Sequence, residues 1–390
     1  MKIMLFSDTF PPEINGVATA TNTLKKAFEA HGHDVYVVCT NPFVHATTFE
    51  NNILRLPGIE IKRLYGYRLT GFLHSKAAKI IKKINPDIIH IQTEYGVGIF
   101  GKIMASRLKI PLVYTYHTMY TDYTYYVTKG KLDQPAKSIV KKFSKIMADT
   151  CSEITTPSFK TKDHLRSYGV NRYINVIPNG IDLSRFEEEY IDKEFISTFK
   201  KKYNLEDKFI ILSLGRIAKE KSIDVVLKNY AKFIAQDHHN KSAFVIVGDG
   251  PAKQDLEKLA KDLGIAERCI FVGSVPYEEV PNYYYMADLF VSASISETQG
   301  LTFIEAIATK TLVMCRFDEN LVEVVEEGKT GYFFSDTSSF CNKLRFIMNL
   351  DEDTKKQIIE TAYIRNKKYS MEAFYDKMLE VYNRANRRYW

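Results

Sequence analysis

Phe209-Ile-Ile-Leu-Ser-Leu-Gly-Arg-Ile-Ala-Lys-Glu-Lys221 decides the organisation of the chain: an apolar run passes at Gly215 into a basic loop, past the midpoint of 390 residues. A short run of β-branched and aromatic residues closed by glycine reads as a buried strand, and the segment after the loop is periodic like a helix. The rhythm continues downstream. Strands are predicted at Ala243 to Val247, Cys269 to Phe271, Leu289 to Ser292 and Leu312 to Met314. Helices are predicted between them at Ser222 to Gln236, Ala252 to Leu263, Val280 to Met286 and Phe303 to Thr309.

Upstream the same alternation has already run once. Lys2 to Phe6 reads as a strand, Thr19 to Ala30 as a helix and Asp34 to Cys39 as a strand. Further strands are expected at Ile53 to Leu56, Asp87 to Ile91, Leu112 to Thr115, Glu153 to Thr156 and Asn175 to Ile177. Strands alternating with helices make parallel β/α units. Single cores stop growing near ~250 to 300 residues, so the expectation is an α/β protein of two facing, doubly wound Rossmann-like domains. Their boundaries are read as 1–185 and 186–370, with a C-terminal helix over 371–390 returning to the first domain. Ligands of such sheets bind beyond the carboxyl ends of the strands.

Composition narrows the class. No apolar run reaches the ~18 to 20 residues of a membrane span, and Met1 to Phe6 is too short for a signal-peptide core. Five scattered cysteines without a CxxC pair argue against a disulfide framework or a zinc cluster and suit a reducing cytosol. Residues 1 to 185 carry 25 Lys/Arg against 14 Asp/Glu, and residues 186 to 390 carry 29 against 33. A basic first half favours an anionic partner or is simply a lysine-rich solvated surface.

Four constellations carry chemistry. Glu297-Thr-Gln-Gly-Leu-Thr-Phe-Ile-Glu305 places one carboxylate in a loop and a second inside a helix. Between them the amides of Gly300, Leu301 and Thr302 open that helix, where unpaired N–H groups and the dipole favour a phosphate. Gly215-Arg216 and Lys221 supply a guanidinium fork and a point charge five residues apart, able to converge on a diphosphate. Pro11-Pro-Glu-Ile-Asn15-Gly16 is a loop in which Gly16 allows close backbone approach. His117 follows a strand whose end faces the ligand crevice. Taken singly, each also reads as ordinary structure: an acidic helix start, a basic loop, a turn, a core histidine.

Two further patterns compete. Gly96-Val-Gly98-Ile-Phe-Gly101, with Asp122 downstream, matches a dinucleotide fingerprint but does not follow the first strand of its domain. Asp351-Glu-Asp353 has the Asp-x-Asp spacing of metal-dependent transferases but precedes a late helix, so it reads as a helix start and no metal site is expected.

Jointly these residues resemble the retaining glycosyltransferases of family 4, whose architecture is GT-B. The likeness runs in order through Pro11-Pro and Gly16, His117, Ile177-Pro-Asn-Gly-Ile-Asp182, Gly215-Arg216 with Lys221, Val247-Gly-Asp-Gly-Pro251, Phe271-Val-Gly273, and Glu297 with Glu305. The resemblance implies that Arg216 and Lys221 bind the donor diphosphate, Glu305 the ribose, Glu297 a sugar hydroxyl and the backbone near Val275 the base. Gly16 would approach the phosphate and sugar, and His117 the reacting bond. Asn15 departs from the family, where a second glycine is common.

A narrower likeness is to bacterial diacylglycerol glucosyltransferases, carried by His117 to Tyr126, with Tyr120, Asp122 and Tyr123, and by Glu297-Thr-Gln-Gly-Leu-Thr302; it implies a lipid acceptor at Tyr120, Asp122 and Tyr123. Two lysine-rich stretches, Lys76 to Ile84 and Lys137 to Ile146, read as amphipathic helices that could lie on an anionic membrane. The expectation is metal-independent, retaining transfer of a hexose, glucose foremost, from a UDP-sugar to diacylglycerol. It places the protein in the cytoplasm, peripheral on the inner membrane face, with no cofactor and no nucleic-acid partner. The alternatives are a soluble sugar, polysaccharide or protein acceptor and, in another class, an NAD-dependent oxidoreductase or a non-catalytic membrane binder.

Overall fold

The structure is a computed structural model and describes residues 1–13, 15–40, 46–60, 68–117, 133–237, 240–294, 297, 299–319 and 321–389. Two compact units emerge: Met1–Ile181 together with Tyr369–Trp390, and Asp182–Lys368.

In the first unit the strands are β1 (Lys2–Phe6), β2 (Asp34–Thr40), β3 (Thr48–Glu50), β4 (Ile53–Leu56), β5 (Ile59–Glu60), β6 (Arg68–Leu69), β7 (Ile88–Ile91), β8 (Leu112–Thr115), β9 (Glu153–Thr156) and β10 (Asn175–Val176). Eight form one sheet in the order β10-β9-β8-β7-β1-β2-β4-β3, parallel except for the β3–β4 pair, while β5 and β6 form a small antiparallel ribbon. Residues of β7, β8 and β9 are buried throughout, which is why these strands read as continuous runs and not as alternations. The polar His90 among them is satisfied, its ring nitrogens bonded to Tyr382 (2.7 Å) and Thr115 (2.7 Å).

In the second unit β11 (Phe209–Leu214), β12 (Ser242–Val247), β13 (Cys269–Gly273), β14 (Leu289–Ser292), β15 (Leu312–Arg316) and β16 (Tyr332–Phe334) make one parallel sheet. Its order is β13-β12-β11-β14-β15-β16. In each sheet the first strand has later strands on both sides: β1 lies between β2 and β7, and β11 between β12 and β14. At such a switch point the loops leaving neighbouring strands part to opposite faces and open a crevice.

The helix Met371–Tyr389 closes the first unit. Tyr375 packs on Phe28 (centroids 4.8 Å) and stacks on His31 (3.6 Å), and Tyr382 lies 5.0 Å from Phe28. Gly180 of the Pro-Asn-Gly-Ile-Asp junction permits this return, since a Cβ there would sit 2.7 Å from Phe374.

Both lysine-rich stretches are helical, and they differ. On Ser75–Ile84, Ala77 and Ile81 are buried, Ile80 and Ile84 pack on the core, and Lys76, Lys79, Lys82 and Lys83 stand in solvent. Its apolar stripe is therefore used inside the protein. On Asp133–Thr150, Met147 and Ala148 are buried, but Ile139 (69% exposed) and Ile146 (53%) face outward beside Lys142. The side chain of Lys137 lies outside the described residues.

Candidate active site

Arg216 follows β11, and its position is set by the neighbouring turn after β12. Gly215 N donates to Val247 O (3.0 Å) and Ile217 N to Asp249 O (2.9 Å). A Cβ on Gly248 would come within 1.9 Å of Gly215 O, and one on Gly250 within 2.3 Å of Ile217 O. The Gly-Asp-Gly motif is thus a packing requirement that locks the loop. Ile217 anchors that loop in the core and Arg216 stays exposed.

A pocket at the carboxyl ends of β11 and β14 is lined by Gly215, Arg216, Lys221, Ser292, Glu297 and Thr302. Lys221 Nζ lies 2.8 Å from Glu297 Oε1, a carboxylate only 8% exposed, and Arg216 pairs with Glu220. Both cations thus already hold a carboxylate. The Arg216 pair is partly exposed, and surface pairs contribute only about 0–1 kcal/mol, so an anion with better geometry can replace it, while Lys221 is itself part-exposed beside the buried Glu297. Beside them Gly300, at φ +74, turns the chain into the helix Leu301–Ala308, whose start has no side-chain cap. A Cβ on Gly300 would meet Leu321 at 2.4 Å.

Glu305, one turn further, turns its carboxyl elsewhere. Tyr277 Oη donates to Oε1 (3.1 Å) and Tyr284 Oη to Oε2 (3.0 Å). Burial pushes its acid up to about 7 against the opposing pull of those two hydrogen bonds. Val275, two residues before Tyr277, lies on the same loop after β13. Neither tyrosine stands out in the sequence, although a buried Tyr hydroxyl demands a partner.

The first unit presents a second group. Asn15, the departure from the family pattern, caps the helix Gly16–Ala30: its Oδ1 accepts from Val17 N (3.1 Å) and Ala18 N (2.9 Å), and its Nδ2 donates to Thr9 (2.7 Å). Among the described residues nothing lies within 4 Å of where a Gly16 Cβ would be. Arg55 Nη2 donates to Pro11 O (2.7 Å) and pins the preceding loop. His117 is buried after β8, its Nε2 2.6 Å from Gln92 Oε1, and burial lowers it to about 4, so the ring is neutral at neutral pH. Gln92 carries no sequence signal of its own beyond its place just after the adjacent strand β7. Tyr120, Asp122 and Tyr123 lie outside the described residues.

The dinucleotide fingerprint is filled by the protein itself. Cβ atoms on Gly96, Gly98 and Gly101 would meet Thr70 O (2.3 Å), Thr93 O (1.9 Å) and the Phe6 ring (2.7 Å). The helix start that would receive a phosphate is occupied by Asp8, whose Oδ1 accepts from Val97 N (3.1 Å). Asp351 N-caps the helix Glu352–Asn366 through Thr354 N (2.9 Å), as a helix start should.

The family model described as Glycosyltransferase Family 4 matches residues 14–185, and that described as Glycosyl transferases group 1 matches residues 195–365. An alpha-monoglucosyldiacylglycerol synthase of Acholeplasma laidlawii is 34% identical over 382 residues, 96% of this chain and 94% of that protein. The chain belongs to glycosyltransferase family 4. A second alpha-monoglucosyldiacylglycerol synthase, from Streptococcus pneumoniae, is 37% identical over 340 residues, 86% of this chain and 75% of that protein. Among solved structures, Anabaena HepE in complex with UDP-glucose superposes with a TM-score of 0.74 at 16% identity, covering 98% of this chain and 99% of that one. Sucrose-phosphate synthase from Thermosynechococcus elongatus gives 0.75 at 19%, covering 98% of each. The fold of this family 4 enzyme is therefore GT-B, and the enzyme is a hexosyltransferase. That excludes the oxidoreductase and the non-catalytic binder.

Proposed function

We propose that this enzyme transfers glucose from UDP-glucose to diacylglycerol with retention of anomeric configuration, at the cytoplasmic face of a membrane. The observation that carries the reading is the pocket where Arg216 and Lys221 meet Glu297 and the start of the helix Leu301–Ala308. A diphosphate entering it would take over the two cations from Glu220 and Glu297. Freed from Lys221, Glu297 would accept a sugar hydroxyl, while Glu305 would accept from the ribose and the backbone at Val275 would meet the base. The two relatives named for diacylglycerol support the acceptor, and HepE, solved with UDP-glucose, supports the donor.

Bond breaking leaves negative charge on UDP. Arg216, Lys221 and the amides of Leu301 and Thr302 would stabilise it, so the leaving group needs neither a metal nor another cofactor. The acceptor oxygen bonds to the anomeric carbon on the face the phosphate leaves, and its proton passes to a phosphate oxygen. His117, neutral and fixed by Gln92, would act as a hydrogen-bonding group beside the sugar and not as a cation. Tyr120, Asp122 and Tyr123 are proposed for the acceptor, and Gly16 for close approach to the donor. Among the described residues no helix is long and apolar enough to cross a membrane. The exposed lysines of Ser75–Ile84, with Ile139, Lys142 and Ile146, would meet anionic lipid.

The test is incubation with EDTA, a panel of nucleotide sugars, and diacylglycerol, monoglucosyl lipid or soluble acceptors, followed by product mass and anomeric proton couplings. An α-glucosyl diacylglycerol made from UDP-glucose is expected. Glucosylation of soluble acceptors alone would redirect the reading to another substrate of the same chemistry.

A further inference from the structure

We infer that Tyr277 is a positioning residue for the donor's ribose: together with Tyr284 it orients the Glu305 carboxylate so that each oxygen keeps a lone pair for one of the two neighbouring ribose hydroxyls. The inference rests on the proposed role of Glu305 as ribose acceptor. An ionised carboxylate offers about four lone-pair sites. Tyr277 takes one on Oε1 and Tyr284 one on Oε2, leaving a symmetric pair that matches a vicinal diol.

The two tyrosines are not equivalent. Tyr284 is fully buried on the helix Val280–Met286, packed against Phe290 (centroids 5.4 Å), so it belongs to the core. Tyr277 is 43% exposed and stands on the turn Tyr277–Glu279, on the loop that carries Val275. Tyr277 is therefore the more exposed of the two residues. A loop carrying both the proposed base contact and its hydroxyl would couple base binding to the orientation of Glu305.

The surrounding charges are accounted for. Arg185 on the turn Leu183–Phe186 and Asp182 just before it, paired at 3.0 Å, act on Tyr277. Glu297, paired with Lys221, acts on Tyr284. Tyr285 is bonded to Glu188 (3.1 Å), Lys310 pairs with Glu360 (3.6 Å) past the far end of the helix, and Cys315 on β15 is held neutral by burial. Among the described residues the two tyrosine hydroxyls are the groups bonded to the Glu305 carboxyl, and both hold its proton affinity down. Removing one lets burial raise that affinity further, and the protonated acid loses an acceptor.

The test is Tyr277→Phe, with kcat and KM for UDP-glucose measured from pH 5.5 to 9.5, alongside binding of UDP and 2′-deoxy-UDP. In the wild type, UDP binds more tightly than 2′-deoxy-UDP, and kcat/KM falls on the acid side. In Tyr277→Phe that acid limb moves to higher pH, KM at pH 7 rises about five- to tenfold, in the range of one ordinary hydrogen bond, and kcat changes less than about twofold. The KM gap closes towards pH 9, and the preference for UDP shrinks. Glu305→Gln abolishes the limb in both backgrounds. If the wild type binds both nucleotides equally, the ribose role of Glu305 itself is wrong. If it discriminates but Tyr277→Phe leaves limb and preference in place, only the role of Tyr277 is refuted. Thermal unfolding of Tyr277→Phe at the wild-type temperature excludes misfolding as the cause of its changes.

Discussion

At the scale of single residues, the site holds charge that the apo protein must keep neutralised. Replacing Arg216 or Lys221 by Ala removes a leaving-group donor, which typically costs about 10²–10³ in rate. We expect kcat to fall by about that much, with circular dichroism and unfolding temperature close to wild type, because neither side chain anchors the core. Near wild-type turnover in both variants would remove them from the mechanism. Glu305 makes the opposite trade. Its acid is raised from 4.5 to about 7, so folding favours the protonated form. The cost is absent below the unfolded value and grows as pH rises through that interval. Glu305→Gln should therefore stabilise the free protein at pH 8 by on the order of 1–3 kcal/mol, a gain that vanishes near pH 4.5, while donor binding weakens. Unfolding temperatures of both proteins across that range check it, and equal stability at pH 8 would contradict it.

At the scale of elements, the strand–loop–helix units were legible because buried strands in parallel sheets are short and apolar and alternate with periodic helical segments. Phe209–Leu214, Leu289–Ser292 and the helix Val280–Met286 stand where the pattern puts them. Beyond the pattern's reach were edge pieces such as Thr48–Glu50 and Tyr332–Phe334, too short to carry a period, and contacts between distant loops. Lys221 meets Glu297 across 76 positions, and Tyr277 meets Glu305 across 28. Local spacing identifies Arg216, Lys221 and Glu297 as candidates, but only the β11–β14 adjacency brings them together. The interlocked turns make a specific case. Gly248 has φ +136 and backbone where a Cβ would go, so Gly248→Ala must both strain its own dihedrals, about 1–3 kcal/mol, and push the Gly215 carbonyl away. Denaturant midpoint and kcat/KM should drop together, since the displaced loop carries Arg216. Gly264→Ala, at φ +70 with open space around it, should lower stability by about 1 kcal/mol and spare kcat/KM.

At the scale of the molecule, the two halves of the sequence differ in charge as well as in the groups they supply. The basic first half carries eight of its eighteen lysines on two helices, and the structure separates their uses. Ser75–Ile84 buries its apolar stripe against the sheet, so it has none left to insert into lipid and can act only through the charge of Lys76, Lys79, Lys82 and Lys83. Asp133–Thr150 keeps Ile139 and Ile146 outward and can act through both charge and apolar contact. That distinction was beyond the sequence, where both stretches show the same mixture of Lys and Ile. It predicts two different failures on membranes. Lys79→Glu with Lys83→Glu should weaken binding to anionic vesicles by about 1 kcal/mol per lysine lost, an effect that fades in high salt as screening shortens the reach of the charges. Ile139→Ser with Ile146→Ser should weaken binding by an amount that salt leaves in place, because apolar burial is unscreened. Co-sedimentation with vesicles of phosphatidylglycerol and phosphatidylcholine at ~50 and ~500 mM salt separates the two. Equal salt sensitivity in both pairs would mean that the isoleucines never enter the lipid, leaving attachment wholly electrostatic.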